Sequence, residues 1–341
     1  MKISNTANLF LQLSSLLCAI VFNSILIYLI LTKSPKKMGT YKTLMVYFSA
    51  FSMFFAIVDI IVRPFIHSYG TCFFMIMSLK DWPLSPELAQ VFLSVLCGCG
   101  GVTPFLIAIH FVYRYFALER KGNLKYFSGN YLIIWLLIPI LGGINWFHLS
   151  WFYYRRNDKT TEYIRKSVLE NFGLEINETV YSAAFFYPPN DNGVPELDMS
   201  ILASYVILSI SMAVPFTILI VVGGLSHIKI NKLIQLGECE FTKRLQLQLY
   251  KALVVQTILP VFLFFLPLGA LFTAPLFKVD IESWSATVTY IYALYPAVDP
   301  LPLLFIIDNY RNAIKEFFNC CHCAPENRVE SSVVSKEQHT L

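Results

Sequence analysis

Charged residues are scarce in this chain and unevenly placed. They make up 14% of its 341 residues, whereas about 25% is usual for a soluble domain. Five stretches contain no Asp, Glu, Lys or Arg at all, namely residues 3–32, 88–112, 126–154, 199–226 and 252–277. Each of them is long enough to cross a bilayer, since about 20 apolar residues suffice. A water-soluble globular fold is therefore excluded.

Two further apolar stretches are interrupted by a single acid each. Residues 44–62 contain Asp59, and residues 283–307 contain Asp299. The first apolar run of the chain is longer than the roughly 7 to 15 residues of a signal-peptide core, so it is predicted to be a retained helix. The sequence therefore predicts an all-α membrane protein with a seven-transmembrane helix bundle. The helices are expected at residues 9–32, 43–64, 87–115, 131–151, 200–225, 250–275 and 284–308, within one domain that covers residues 1–321.

Basic residues are more numerous on one side of this predicted bundle. With the first loop inside, the inner segments hold 17 of the 26 Lys and Arg residues and the outer segments hold 9. Excess positive charge marks cytoplasmic loops, so the N-terminus is predicted to lie outside. The inner basic residues would attract anionic lipid. Membrane lipid, and not nucleic acid, is the partner that the net charge of +4 indicates.

Motifs for catalysis or cofactor binding are lacking. The chain has no His-Glu-x-x-His, no Gly-x-Ser-x-Gly and no glycine-rich phosphate loop, and its six histidines form no pair with metal-ligand spacing. The sequence therefore predicts neither an enzyme nor a resident metal or cofactor.

Cysteines are present but are missing from one informative place. None of the eight lies in the long outer connection at residues 152–198, so the disulfide that joins the third helix to this loop in most rhodopsin-like receptors cannot form. Cys320, Cys321 and Cys323 follow the last helix, where juxtamembrane cysteines can be palmitoylated. A metal site that includes His322 is the alternative, but no second Cys/His pair lies near it in sequence.

The region after the seventh helix has two parts. Apolar residues recur at helical spacing in residues 309–319, which predicts an amphipathic helix on the inner leaflet. Residues 322–341 are polar and are expected to form a disordered cytoplasmic tail. In the outer connection, Asn177 begins an Asn-Glu-Thr triplet and is a candidate for glycosylation.

Polar residues inside the predicted helices are candidates for a conformational switch. Asp299 and Asn23 each lie nine residues before the inner end of their helix, so both are about 13 to 14 Å from the inner face. This matched depth permits a hydrogen bond, and Pro300 loosens the backbone beside it. From the sequence, a movable lock and a static contact are equally consistent.

Arg114 ends the third helix within Tyr113-Arg114-Tyr115. An arginine at this place can change partners when the sixth helix moves, and can face a cytoplasmic partner. It can also serve only as an anchor that reaches lipid phosphates. The sequence leaves both interpretations open.

Two other patterns mark the helices. Pro260 and Pro267 lie two turns apart in the sixth helix, which predicts a kink with hinge character. Residues 97–101 read Cys-Gly-Cys-Gly-Gly, and small residues favour close approach of a neighbouring helix.

Four strings of sequence together resemble one family. They are GTYKTLM at residues 39–45, HFVYRY at 110–115, LYKALVVQT at 249–257, and YPAVDPLP at 295–302 followed by Tyr310-Arg311. They are similar to nematode serpentine chemoreceptors of class r (Str), over residues 9 to about 321. The resemblance implies a multi-pass plasma-membrane receptor in the cilia of chemosensory neurons. Such a receptor binds a small odorant or soluble chemical and activates a heterotrimeric G protein.

Two other classes of membrane protein remain as alternatives. A ligand-gated channel of the insect odorant-receptor kind would have its N-terminus inside, which the charge count opposes. A transporter would need several intramembrane acids, and the interiors of the predicted helices contain only Asp59 and Asp299.

The resemblance also implies where ligand and G protein meet the bundle. Ligands of such receptors bind in an apolar cavity between the outer halves of the helices, beneath an outer loop that can act as a lid. The candidates by depth are Phe92, Ser94, Cys97, Phe265, Thr287, Tyr290 and Tyr292. The G protein would meet Arg114 and the basic segment at residues 226–251. Relative to rhodopsin-like receptors, Tyr113 replaces an acid, and Asp299-Pro300 replaces an Asn-Pro pair.

Overall fold

Long helices account for most of the computed structural model, which describes residues 5–35, 38–80, 84–119, 122–235 and 240–322. Within these ranges, six helical segments are long and apolar enough to cross a membrane. Five of these segments lie within single helices, which are α1 (Asn5–Lys33), α2 (Tyr41–Val62), α3 (Pro86–Glu119), α4 (Asn130–Phe152) and α6 (Met199–Gln235). The sixth segment contains two helices, α7 (Glu240–Pro260) and α8 (Leu266–Thr273). The prediction of a membrane helix bundle is confirmed.

The seventh segment is helical but broken. It consists of α9 (Ser285–Val298) and α10 (Leu301–Ile306), and Asp299 and Pro300 lie between the two. Pro300 and Pro302 have no N–H, so two carbonyls of the preceding turn lose their helical donors. The break therefore coincides with the Asp-Pro pair.

The sixth segment contains a π-helical turn. This turn (Val261–Phe265) separates α7 from α8, and the N–H of Leu266 bonds to the carbonyl of Val261, five residues earlier. Pro260 and Pro267 flank it, and each removes a donor from the α-helical ladder. A single wider turn absorbs this mismatch, and such turns are frequent at functional sites.

The two ends of the bundle differ in structure. At one end, called the sheet end, the described residues form three antiparallel strands in the order β1 (Phe65–Tyr69), β2 (Cys72–Ser78), β3 (Thr179–Phe185). Helix α5 (Asp158–Phe172) packs on the sheet. The sheet and α5 together are called the lid. The opposite end, called the tail end, carries α11 (Asp308–His322).

The lid sheet is buried on both faces. Phe73, Met75 and Met77 of β2 pack into the bundle core, whereas Phe74 and Ile76 face α5. A strand buried on both sides reads as one apolar run with no polar alternation. The outer connection at residues 152–198 was expected to act as a lid, but the strands were not predicted.

The turn between β1 and β2 depends on a glycine. Gly70 has φ +52°, and a Cβ on it would lie 2.3 Å from the hydroxyl of Tyr163 on α5. The hairpin and α5 therefore approach each other closely only because this position lacks a side chain.

Glycines also bring α3 and α4 together. A Cβ on Gly101 would lie 2.8 Å from the carbonyl oxygen of Gly142, and a Cβ on Gly98 would lie 3.0 Å from that of Gly143. The packing role expected for residues 97–101 is what this geometry shows.

At the tail end, α11 follows the seventh segment directly. Its Tyr310 is fully buried and its hydroxyl lies 2.6 Å from that of Ser34, just past α1. Phe317 is 67% exposed. The side chains of Cys320 and Cys321, and all of Cys323 with the predicted tail beyond it, lie outside the part of the chain that the structure describes.

Candidate functional site

A cavity of about 520 Å³ lies inside the sheet-end half of the bundle. Helices α3, α4 and α6, the sixth segment and α9 form its walls, and Phe73, Met75, Ser182 and Ala184 of the lid form its roof. Cavities of roughly 300 to 1,000 Å³ are typical of small-molecule sites.

The cavity walls are apolar and carry no formal charge among the described lining residues. Aromatic rings dominate them: Phe272 stacks on Tyr205 with ring centroids 5.7 Å apart, and Phe216 meets Phe265 edge-on at 5.4 Å. An ion would lose its hydration there without a partner, so the walls favour an uncharged occupant.

A short chain of serine hydroxyls provides polar groups at the cavity wall. The Oγ atoms of Ser94 and Ser150 are 3.1 Å apart, and those of Ser150 and Ser182 are 3.0 Å apart. Ser150 and Ser182 line the cavity. Because a hydroxyl both donates and accepts, this chain can reorient toward either kind of polar group on an occupant.

The structure divides the seven residues predicted to contact a ligand. Cys97, Phe265 and Tyr292 line the cavity. Ser94 reaches it only through Ser150, and Phe92 packs into the apolar core near it.

The other two face away from the cavity. Tyr290 packs against the core beneath α5, and Thr287 is exposed. The prediction that these two residues contact a ligand in this cavity is therefore wrong, because they lie on another face of α9. Both are therefore left out of the ligand site proposed below.

Several cavity residues were missed by the sequence analysis. Trp146 donates from its indole nitrogen to Ser211 at 3.0 Å, and it forms part of the wall beside Gly100. Phe73 and Met75 enter the cavity from the unexpected strand β2. In the sequence, the only sign of this wall is the glycines of residues 97–101 on α3, which lie opposite Trp146 on α4.

Asp299 is fully buried at the break in the seventh segment. The hydroxyl of Ser52 on α2 donates to its Oδ2 at 2.8 Å, and no partner of its Oδ1 is found among the described residues. Asn23 is also buried, but its amide donates to the carbonyl of Ala19 at 2.9 Å. The hydrogen bond expected between Asn23 and Asp299 is therefore replaced by the bond from Ser52. Pro300 caps α10 immediately after Asp299.

Arg114 lies inside the bundle at the tail end. It is 2% exposed, and it donates to both the main-chain and the side-chain oxygen of Gln246 on α7; the main-chain distance is 3.1 Å. Its guanidinium carbon is 5.5 Å from the ring centroid of Tyr41. A side chain buried in this way does not reach lipid phosphates, so the interpretation as a mere membrane anchor is wrong.

The tyrosines beside Arg114 have different surroundings. Tyr113 is buried, stacks on Tyr41 at 5.1 Å and donates to the carbonyl of Met38 at 3.3 Å. Tyr115 lies on the other side of α3, where the ammonium of Lys229 is 4.0 Å from its ring centroid. Only Tyr113 therefore shares the environment of Arg114.

Further polar contacts hold the helices together at the tail end. Gln248 on α7 donates to Asp308 at 2.5 Å, and Arg244 pairs with the same carboxylate at 2.6 Å. Lys229 on α6 pairs with Glu119 on α3 at 3.0 Å. With Arg114 and Gln246, these contacts tie α7 to both α3 and the start of α11.

Asn177, the glycosylation candidate, is exposed in a short 3-10 helix just before β3. It therefore lies at the sheet end. The seventh segment runs from this end, where Thr289 bonds to β1, to α11 at the tail end.

Known proteins resemble this chain along most of its length. The model of the family "Serpentine type 7TM GPCR chemoreceptor Str" matches residues 8–315. The chain is 31% identical to serpentine receptor class r-10 of Caenorhabditis elegans over 310 residues, which cover 91% of this chain and 89% of that protein.

Two further Caenorhabditis elegans proteins show the range of similarity. The chain is 30% identical to G-protein coupled receptor str-217, over 89% of this chain and 88% of that protein. It is 23% identical to serpentine receptor class J-38, over 91% of this chain and 93% of that protein. With a bundle of membrane-length helices and a family model that matches residues 8–315, the chain belongs to the Str family of serpentine seven-transmembrane GPCR chemoreceptors.

Proposed function

We propose that this chain is a chemosensory receptor that binds a small uncharged molecule in the sheet-end cavity and activates a heterotrimeric G protein at the tail end. In this proposal the sheet end and the N-terminus face the outside, and the tail end faces the cytoplasm. The observation that carries the proposal is the apolar cavity of about 520 Å³. Residues of the lid form its roof, and it touches the sixth and seventh segments.

The cavity favours a particular ligand chemistry. Its described lining holds no charged side chain, and its hydroxyls lie on Ser150, Ser182 and nearby residues. A largely apolar molecule with one hydrogen-bonding group would fill this space and satisfy those hydroxyls. Volatile odorants and uncharged soluble metabolites have this chemistry.

The sixth segment connects the ligand cavity with the surroundings of Arg114, and it is therefore the proposed route from ligand to G protein. Phe264 and Phe265 of the π turn line the cavity, and the same segment carries Gln246, the partner of Arg114. A ligand that packs against the π turn changes the balance between two positions of α7. It shifts that balance only by its differential affinity for the two states.

In the active state, α7 moves away from α3, and Arg114 loses Gln246 and faces the G protein. Tyr113 and Tyr115 flank this surface, and Asp299 and Pro300 form the deformable part of the seventh segment. Palmitoylation of Cys320, Cys321 and Cys323 would hold the end of α11 at the membrane. A glycan on Asn177 and residence in the ciliary membrane complete the proposal.

The test is a cell assay of G-protein activation at matched surface expression. Wild type, Arg114→Ala and Arg165→Ala are compared against a panel of neutral volatile and soluble compounds. Arg165 lies on the exposed side of α5 and serves as the control. We expect a response in wild type and in Arg165→Ala that is lost in Arg114→Ala. A ligand-gated current without G-protein activation would overturn the proposal in favour of a channel.

A further inference from the structure

One histidine joins the lid to the connection between the sixth and seventh segments. His67 lies on β1 and is 4% exposed. Its Nε2 lies 3.2 Å from Oε1 of Glu282, just before α9. Asn171, near the end of α5, donates to the same carboxylate oxygen at 3.0 Å. Both layers of the lid therefore meet one carboxylate that belongs to the helix bundle.

The same strand is hydrogen bonded directly to the seventh segment. β1 is an edge strand, and Thr289 Oγ1 lies 3.2 Å from the N of Ile66 and 3.1 Å from its carbonyl O. The N–H of Ser68 donates to Ser285 Oγ at 3.1 Å. Glu282 in the 3-10 turn before α9, and Ser285 and Thr289 on α9, all contact β1, so a change at His67 acts on the attachment of the whole strand.

The surroundings of His67 fit a neutral imidazole. Phe74 and Phe172 enclose the ring, each with a ring centroid 5.3 Å away. With a proton on Nε2 the ring donates to Glu282, and Nδ1 is a buried acceptor for which no partner is found among the described residues. A second proton would place a buried N–H on Nδ1 with no acceptor, which is unfavourable.

Solvent reaches this contact from the outside. An open cleft of about 350 Å³ is lined by His67, Asn171, Asp280, Glu282 and their neighbours. The charged groups of the described residues that face His67 are Glu282 and Asp280, both in the connection before α9. The contacts from β2 and α5 are Phe74, Phe172 and the uncharged Asn171. Water and protons can therefore enter without passing through the core.

We propose that His67 couples external acidity to the lid, so that protonation of His67 loosens the lid over the ligand cavity. The inference rests on the proposed function insofar as the sheet end faces outside and the cavity beneath the lid binds the ligand. Burial lowers the pKa of His67 below its usual range, and Glu282 opposes this effect only in part.

The sign of the effect follows from proton linkage. A closed lid holds His67 with a lowered pKa, so the closed state binds fewer protons than an open state in which the imidazole is hydrated. The stability of closure is complete above the ordinary histidine pKa of about 6.5, and it is lost as the pH falls below that value. Acid therefore favours the open lid.

The size of the effect has an upper limit. If only the open state binds the proton, the open fraction at pH 5.5 rises by up to about tenfold relative to pH 7.5. A ligand that requires the closed lid would lose potency by the same factor.

The experiment measures lid opening without ligand or G protein. Cys97 lines the cavity, so its labelling by a membrane-impermeant cationic methanethiosulfonate reports access from outside. The rate is measured in full-length receptor from pH 7.5 to 5.5, and labelling of Cys97 is identified by mass spectrometry. Wild type is compared with His67→Gln and with the control His148→Gln, whose histidine is exposed at the sheet end of α4.

The ratio of rates cancels the pH dependence of the thiol itself. We expect the ratio of wild type to His67→Gln to rise several-fold, at most about tenfold, as the pH falls, and the ratio of His148→Gln to wild type to stay constant. A flat first ratio would overturn the proposal. A change with pH in the ratio of the labelling rates of His148→Gln and wild type would also overturn it.

A second variant covers the case in which His67→Gln does not reach the surface. Glu282→Gln removes the carboxylate that favours protonation, so its labelling should respond to acid more strongly than that of wild type. An equal or weaker response contradicts the proposal. If lid opening follows His67 but no ligand activates the receptor, the proposed function fails while this inference stands.

Discussion

The two halves of this receptor are closed in different ways. The sheet-end half encloses an apolar cavity that is covered by a separate folded lid, and its contacts are mostly between rings. The tail-end half is closed by directional bonds from Arg114, Gln248 and Arg244. Ring contacts tolerate many shapes, whereas these bonds either form or break. The difference indicates that the cavity end responds in a graded way to the shape of a ligand, whereas the helices at the tail end take one of two positions.

Substitution of Gly101, where α3 packs against α4, should have the largest effect, because both halves depend on this helix packing. A Cβ at Gly101 would lie 2.6 Å from Trp146 and 2.8 Å from the backbone of Gly142. Gly101→Ala should cost about 1 to 3 kcal/mol, a large part of a marginal stability. We expect a lower melting temperature and little surface receptor. Gly224→Ala is the control, because a Cβ there would have no neighbour within 4 Å among the described residues; equal losses in both variants would contradict this account.

Removal of Thr289, the residue of α9 that bonds to the edge strand of the lid, should weaken the sheet end alone. Thr289→Val leaves the N–H and carbonyl of Ile66 without their partner, at about 1 to 3 kcal/mol for each buried group. We expect amide exchange in β1 to accelerate by tenfold or more. Thr287→Val, two residues away on an exposed position, should leave exchange unchanged. Faster exchange across the tail-end helices in Thr289→Val would show that the halves are not separable.

Release of the arginine should affect the tail end alone. Gln246→Ala removes the side-chain acceptor of Arg114 and keeps the main-chain one. A hydrogen bond to a charged group contributes about 1.5 to 3 kcal/mol, so ligand-independent G-protein activation should rise by roughly 10- to 150-fold. Lys229→Ala breaks a partly exposed ion pair worth about 0 to 1 kcal/mol. This variant should therefore change ligand-independent G-protein activation far less. Lower or unchanged basal activity in Gln246→Ala at equal expression would contradict the proposed closed state.

The smallest expected effect tests how selective the cavity is. Ser182→Ala removes one hydroxyl of the serine chain and leaves the volume nearly unchanged. Ligands that carry a hydrogen-bonding group should lose about 0.5 to 1.5 kcal/mol, or roughly two- to tenfold in potency. Hydrocarbons of the same shape serve as the control and should keep their potency. An equal loss for both kinds of ligand would indicate a packing role.

The helical part of this architecture was predictable because hydropathy alone specifies membrane helices. The angular position of a residue on its helix was not. Thr287 and Thr289 are close in depth, yet one is exposed and the other bonds to the lid. The burial of Arg114 also depends on the position of α7, which no local pattern encodes.

The strands of the lid escaped prediction for a different reason. β2 and β3 are buried on both faces and therefore lack the regular polar and apolar alternation that indicates a strand. Their pairing joins residues far apart in sequence, with Cys72 opposite Phe185.

That long-range pairing has a consequence for how the receptor is made. The hairpin of β1 and β2 is local, but β3 becomes available only after α3, α4 and α5 have been synthesised. Until then β2 presents an unpaired apolar edge, which is a feature that chaperones bind and that promotes aggregation. In the proposed orientation this edge faces the lumen of the endoplasmic reticulum. Completion of the sheet would thus report that the first four helices are correctly inserted, so the lid would serve as a checkpoint in biosynthesis before it serves as a cover.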